Sequence, residues 1–182
     1  MEKQNLHAFK ELSTGRLVLR ALAVTDNAQM AAIRSDDEVN KYISRQPCLS
    51  LAEAEAFIRK IQQAVIDDGW FYWAICLEGD DRLIGTVCLW NIDAEKAQAE
   101  LGYELFPAFQ GKGIMTESLE KVISFAFNEL RFKRMVAITD RHNVRSLRLL
   151  EKFGFVRDTD YLGEAGLLED ELILALTVGL KS

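Results

Sequence analysis

The sequence predicts an α/β (α+β) fold: a mixed, mostly antiparallel central sheet with helices packed on both faces. Three observations predict it. Apolar residues recur at helical spacing up to Gly69 and at strand-like spacing beyond it. Three strand-like runs then follow one another, the first two separated by a Gly79-Asp80-Asp81 turn signal, as in a hairpin. Finally, a strand–helix–strand step over 97–140 has the order of a right-handed parallel crossover.

Each element has a local reason. "RLVLRAL" (16–22) alternates and reads as a strand. Thr25 or Asp26 can cap the helix that "NAQMAAIRS" continues. Residues 36–43 suit a short helix, and Pro47 interrupts the chain after it. The segment 50–69 is an amphipathic helix: Ser50 and Glu53 form a capping box, Leu51, Ala54, Phe57, Ile58, Ile61 and Val65 share a face, and Gly69 ends it. Residues 70–77, 81–90 and 97–106 are strands. A helix comes next at 115–130, then a strand at 134–140. The last helix, within 143–155, has Asn143 at its N-cap and Gly154 just past its end. A closing strand occupies 170–178.

The bulk properties bound the function. A chain of 182 residues without repeats or a linker reads as a single domain over 1–182, large enough to bury a core without staples. The net charge of −6 lacks the basic footprint of a nucleic-acid binder, so no direct nucleic-acid contact is expected. Cys48, Cys76 and Cys88 lack metal-ligand spacing, and His7 and His142 do not supply it, so no metal is expected. Free thiols fit a reducing compartment. The N-terminal residues show no apolar signal core, and no apolar run approaches ~18 residues. The expected location is the cytoplasm, without membrane contact.

The stretch "LFPAFQGKGIMTESL" (105–119) carries the chemistry. A strand ends near Pro107, a glycine loop comes next, and a helix starts. The first turn of a helix offers unpaired N–H groups and a positive dipole end, and glycine lets a ligand approach the backbone. Gly111, Lys112, Gly113, Ile114 and Met115 can therefore present amides to a phosphate or pyrophosphate. Two familiar phosphate loops do not fit. Lys112 is followed by Gly113 rather than by Ser or Thr, and Gly111-x-Gly113 continues to Thr116 rather than to a third glycine.

Gln110-Gly111-Lys112-Gly113-Ile114-Met115, preceded by Pro107 and followed by "NVRSLRLLEKFGF", resembles the GNAT superfamily of acetyl-CoA-dependent N-acetyltransferases. That family's loop reads [QR]-x-x-G-x-[GA]; here Met115 stands at the small-residue position. "GRLVLRAL", "ELGYEL" and the "N-x-x-S-x-x-x-x-E-K-x-G-F" pattern resemble the ribosomal-protein N-terminal (alanine) acetyltransferase branch. The resemblance covers about residues 14–178. It implies a GNAT-like sheet with a parallel, splayed strand pair, acetyl-CoA as cosubstrate, and a pyrophosphate held by Gln110 to Thr116. It also implies pantetheine paired with the backbone around Glu104, Leu105 and Phe106. The acceptor would be a primary amine, on a protein N-terminus or a small molecule, and the protein a monomer or homodimer.

An amine must be neutral to attack a thioester, and the leaving thiolate wants a proton. Glu100 and Glu104 share one side of the strand 97–106, with Gly102 between them, and either can take the proton. Asn143 and Ser146 lie one turn apart at a helix start. The resemblance assigns Asn143 to the cofactor and Ser146 to the departing thiolate. Leu150 stands where many members of the family carry a general-acid tyrosine, which shifts the expectation to Ser146 or water. Tyr42, in the polar segment 36–48, is the candidate acceptor contact, while Trp70, Tyr72, Trp73 and Trp90 are expected mostly in the core. Two rival readings remain: a small-molecule acetyltransferase for an amino sugar, polyamine or antibiotic, and a non-catalytic acyl-CoA-binding regulatory module.

Overall fold

The structure, a computed structural model, describes residues 9–159 and 169–178. The chain runs β1 (Leu12–Ser13), β2 (Leu17–Ala21), α1 (Asn27–Ser35), α2 (Asp37–Asn40), α3 (Leu51–Asp67), β3 (Phe71–Leu77), β4 (Asp80–Asp93) and β5 (Gln98–Leu105). It continues through α4 (Ile114–Asn128), β6 (Arg134–Asp140), α5 (Val144–Lys152), β7 (Val156–Arg157) and β8 (Glu171–Thr177). These strands form one sheet in the order β1-β2-β3-β4-β5-β6-β8-β7. All neighbours are antiparallel except β5 and β6, which are parallel and joined by the α4 crossover.

Both faces of the sheet are covered, which is why β3 reads as a nearly continuous apolar run. On one face Phe71, Trp73 and Ile75 join Leu119, Val122 and Phe125 of α4. Trp73 stacks on Phe71 at 5.6 Å between ring centroids, and Phe125 meets both rings edge-on. On the other face Tyr72 and Ala74 pack against Met30 and Ile33 of α1 and Ala54, Ile58 and Ile61 of α3. Alternation along β3 therefore feeds two cores from one strand. Trp73 and Tyr72 are buried, while Trp70 and Trp90 are half-buried and meet edge-on at 5.7 Å.

The capping chemistry holds at α3 and α5. Ser50 Oγ accepts from the Glu53 N–H, and Asn143 Oδ1 accepts from the Ser146 N–H. The Glu53 carboxylate reaches back to the Leu49 N–H, one residue before the cap. Asp26 behaves differently from expectation. Its carboxylate does not cap α1; it accepts from the Ala23 N–H at 2.8 Å and pairs with Arg20 at 2.7 Å. At 4% exposure this carboxylate needs a cation more than α1 needs a cap. The two-residue strands β1 and β7 lie outside the sequence expectation, because such short pairings leave no periodic pattern.

Phe125 is the keystone between α4 and the sheet. Phe125→Ala is expected to lower the unfolding free energy by about 3–5 kcal/mol, the usual cost of deleting a buried aromatic. Urea denaturation of the two proteins measures it.

Candidate functional site

Strands β5 and β6 stay paired for three residues only: Gln98, Ala99 and Glu100 lie opposite Arg134, Met135 and Val136. Beyond that point β5 keeps its partner β4 and β6 keeps β8, so the two parallel strands part. Opposite residues on β4 and β5 alternate between bonded and non-bonded pairs. The Phe106 N–H donates to the Ile84 carbonyl at 3.0 Å, which sets the phase. Even-numbered residues of β5 then direct their backbone groups to β4, and odd-numbered ones away from it. Tyr103 and Leu105 consequently face the opening left by β6 with no ladder partner there. Glu104 directs its backbone groups to β4, while Phe106 donates its N–H to Ile84 and accepts at its carbonyl from the Phe109 N–H.

The parting opens a groove of about 780 Å³ that reaches both faces of the sheet. On the α4/α5 side it is lined by the 110–116 loop, Asn143, Ser146 and Leu150. On the other side lie Glu104 and, from α2 and the turn after it, Glu38, Tyr42 and Ile43.

The loop leaves the start of α4 open. Gly111 and Gly113 have φ of 73° and 76°, a region that disfavours any residue with a Cβ. Gly113 is the N-cap of α4 and is exposed, so no side chain closes the helix start. Gln110 braces the loop from within: its Nε2 donates to the Leu105 carbonyl at 3.0 Å, and its Oε1 accepts from Arg145 at 2.6 Å. Arg16 braces it from below. Its guanidinium pairs with Glu117 at 2.6 Å and donates to the Lys112 carbonyl at 3.3 Å. Hydrogen bonds from Thr14 and Arg16 hold the Glu117 carboxyl below the usual range. The opening "GRLVLRAL" motif thus contributes a residue to the loop, a role that sequence spacing does not reveal across a separation of 96 positions. Lys112 lies over the Phe109 ring at 5.6 Å and does not line the groove.

Glu104 is 8% exposed and pairs with Arg45 at 2.7 Å. Arg45 is oriented in turn by Asn40 Oδ1 at 2.7 Å, so the segment after α2 is tied to β5 through a charged pair. One Glu104 oxygen is held by Arg45; the other lies 3.5 Å from Thr86 Oγ1. Glu100 lies outside the groove. It sits at the last paired position of β5 and β6, with Asn91 3.4 Å from its carboxylate, and burial pushes its carboxyl pKa up. The period-of-two argument places both carboxylates on one side correctly, but only Glu104 lies beyond the point where the strands part.

Across the opening, Ser146 Oγ lies 2.8 Å from the Tyr103 hydroxyl. Burial pushes the Tyr103 phenol up to about 12. Leu150 is fully buried in the α4-side core while its edge lines the groove. Met115 is likewise part of that core, so its bulk fills the helix–sheet interface. Cys48, Cys76 and Cys88 are free; burial pushes the Cys76 thiol up to about 11 and the Cys88 thiol up to about 12. Thiols so raised are poor nucleophiles. His142 is exposed and bonds to Asp140, as expected of a loop residue. Among the described residues no helix is long and apolar enough to cross a membrane, and no cluster of three metal-ligating side chains occurs.

Residues 16–156 match the acetyltransferase (GNAT) domain family. The chain is 30% identical to an uncharacterized N-acetyltransferase, p20, of Bacillus licheniformis, over 92% of this chain and 96% of that one. It is 32% identical to the [ribosomal protein uS5]-alanine N-acetyltransferase of Escherichia coli, over 59% of this chain and 57% of that one. Among solved structures, the microcin C7 self-immunity acetyltransferase MccE in complex with acetyl-CoA and AMP superposes with a TM-score of 0.76. It is 21% identical, over 91% of this chain and 94% of that one, which speaks to the fold alone.

The Arg45–Glu104 pair makes a stability test of the groove wall. Arg45→Met leaves a buried carboxylate without its cation and is expected to cost about 3–5 kcal/mol. Adding Glu104→Gln should recover much of that loss. Chemical denaturation of the single and double variants measures both.

Proposed function

This chain belongs to the GNAT acetyltransferase family and is an N-acetyltransferase, and we propose that it moves acetyl from acetyl-CoA to a primary amine at a protein N-terminus. The observation that supports this most is the groove through the sheet. One end is an amide-rich glycine loop, and the other is a wall carrying Glu38, Tyr42 and Ile43. Donor and acceptor can then meet from opposite faces at the point where β5 leaves β6.

The donor end fits what acetyl-CoA requires. The first turn of α4 and the loop amides receive the pyrophosphate, with glycine conformations that admit close approach. The gap-facing backbone of Tyr103 and the Leu105 N–H offer the edge-strand pairing that an extended pantetheine arm uses. Asn143, beside it, fixes the first turn of α5 by accepting from the Ser146 N–H.

The overall change makes a C–N bond, breaks the thioester C–S bond, leaves the sulfur protonated and releases one proton from the amine. Glu104, on the acceptor side, takes the amine proton directly or through water. Ser146, on the donor side, gives a proton to the departing sulfur and regains one from groove water, to which Glu104 returns the proton it took. Arg45 keeps the Glu104 carboxylate aimed. An α-amine titrates near 8 and a lysine near 10.4, so the α-amine needs less help at neutral pH. The wall of Glu38, Tyr42 and Ile43 is formed by a short helix and an irregular turn rather than by a deep pocket, which suits an extended peptide end. Likeness to the uS5-alanine enzyme supports the same acceptor class.

An amine panel tests the acceptor. N-terminal peptides should outpace lysine peptides and small amines in acetyl transfer measured by thiol release. A higher kcat/KM on a small amine or antibiotic would overturn the protein-N-terminus reading, and no turnover on any amine would favour a binding module. Gly113→Asp adds a charge and a Cβ at a positive φ where the pyrophosphate would lie, and calorimetry should show acetyl-CoA binding abolished. Ser146→Ala should lower kcat by about 10²-fold, the lower end of general-acid effects, with acetyl-CoA affinity retained. Full kcat in that variant would pass the donor role to water.

A further inference from the structure

We propose that Tyr103 is a positioning residue for acetyl transfer: its hydroxyl donates to Ser146 Oγ and so leaves the serine proton free to point into the groove. The inference rests on the reading of Ser146 as the proton donor and adds the device that makes a serine fit for it.

The two hydroxyls lie 2.8 Å apart, on chain segments separated by 43 positions. Tyr103 is at an odd position of β5, so its side chain lies on the α4/α5 side, opposite to Glu104. Ser146 is in the first turn of α5, and its backbone N–H is already held by Asn143 Oδ1 at 3.2 Å. The serine backbone is therefore fixed, but a hydroxyl still rotates to whichever acceptor is nearest. In a helix the nearest acceptors are commonly carbonyls one turn back, and a serine that donates there has no proton to give a ligand. A donor directed at Oγ changes that balance. Having accepted from Tyr103, the serine oxygen keeps its own hydrogen for the remaining direction.

Tyr103 is suited to be the donor of the pair. A phenol is a stronger hydrogen-bond donor and a weaker acceptor than an alcohol, and burial further disfavours its ionised form. A half-buried tyrosine hydroxyl also needs a partner, and Ser146 Oγ is that partner. Tyr103 gives up no proton in the reaction. It orients Ser146, which passes its proton to sulfur and is reprotonated by water, so the atom balance of transfer is unchanged.

The test is a double-mutant cycle on the full chain: wild type, Tyr103→Phe, Ser146→Ala and the double variant. Steady-state kinetics use acetyl-CoA and the best amine of the panel, with thermal melts beside them. Tyr103→Phe keeps the ring and removes the hydroxyl. It should lower kcat about fivefold, the rate equivalent of one neutral hydrogen bond, with the KM for acetyl-CoA unchanged. The double variant should be no slower than Ser146→Ala alone. In a Ser146→Thr background, which retains a hydroxyl, Tyr103→Phe should again cost about fivefold. An equal loss in the wild-type and Ser146→Ala backgrounds would overturn the inference, as would unchanged kcat or an effect on KM alone. If Ser146→Ala itself keeps full kcat, the proton-donor reading fails, and this inference fails with it. If only Tyr103→Phe keeps full kcat, the donor reading stands and the positioning role does not.

Discussion

The site depends on how briefly β5 and β6 are paired. A parallel ladder is held by evenly spaced, slanted hydrogen bonds, and here it stops after three positions. Beyond that point each strand is held only from its outer edge. Strand β5 is committed to β4 from Trp90 to Gly85, and β6 is committed to β8 along all of 134–140. Each strand follows its antiparallel partner, and the pair opens. The geometry of the candidate site depends on that opening: the gap-facing backbone at Tyr103 and Leu105, the access of Glu104 to the groove, and the space into which α5 turns Ser146.

Close packing behind the opening holds β5 against β4. A Cβ at Gly85 would meet the Glu104 carbonyl oxygen at 2.6 Å, and one at Gly102 would meet Cys88 Sγ at 2.9 Å. These two glycines let β4 and β5 lie close just where β5 leaves β6. The position of Glu104 is then set from three directions: the ladder to β4, the Arg45 guanidinium, and the Thr86 hydroxyl. A buried charged pair of this kind adds little net stability against an apolar substitute. Its effect is on geometry, tying the segment that bears Tyr42 to the strand that bears the carboxylate.

Much of this is legible in the sequence. Periodicity finds the long helices and the strands of both halves, since amphipathic spacing survives without tertiary knowledge. Ser50 and Asn143 are readable as caps because capping is local. Gln110 to Gly113 are readable as a loop because two glycines stand between a strand pattern and a helix pattern. The illegible parts are those that depend on distant chain. Asp26 turns from its helix to Arg20; Arg16 reaches the loop from the first strands; Arg45 meets Glu104 across 59 positions. Glu100 and Glu104 are equivalent in sequence pattern, and only the last rung of a ladder separates them. Tyr103 stands within the "ELGYEL" motif, but its meeting with Ser146 exists only once α5 is folded back over β5.

A sheet interrupted in its middle has an inner edge, and open strand edges are ordinarily a hazard, because another chain's strand can dock on them. The edge of β5 at Tyr103 and Leu105 is recessed between α4, α5 and β6, with Ile114, Leu149 and Leu150 along its walls. An incoming polypeptide strand would have to pass between those walls to reach it. The recess walls this edge off from the flat, edge-to-edge approach by which strands of separate chains pair.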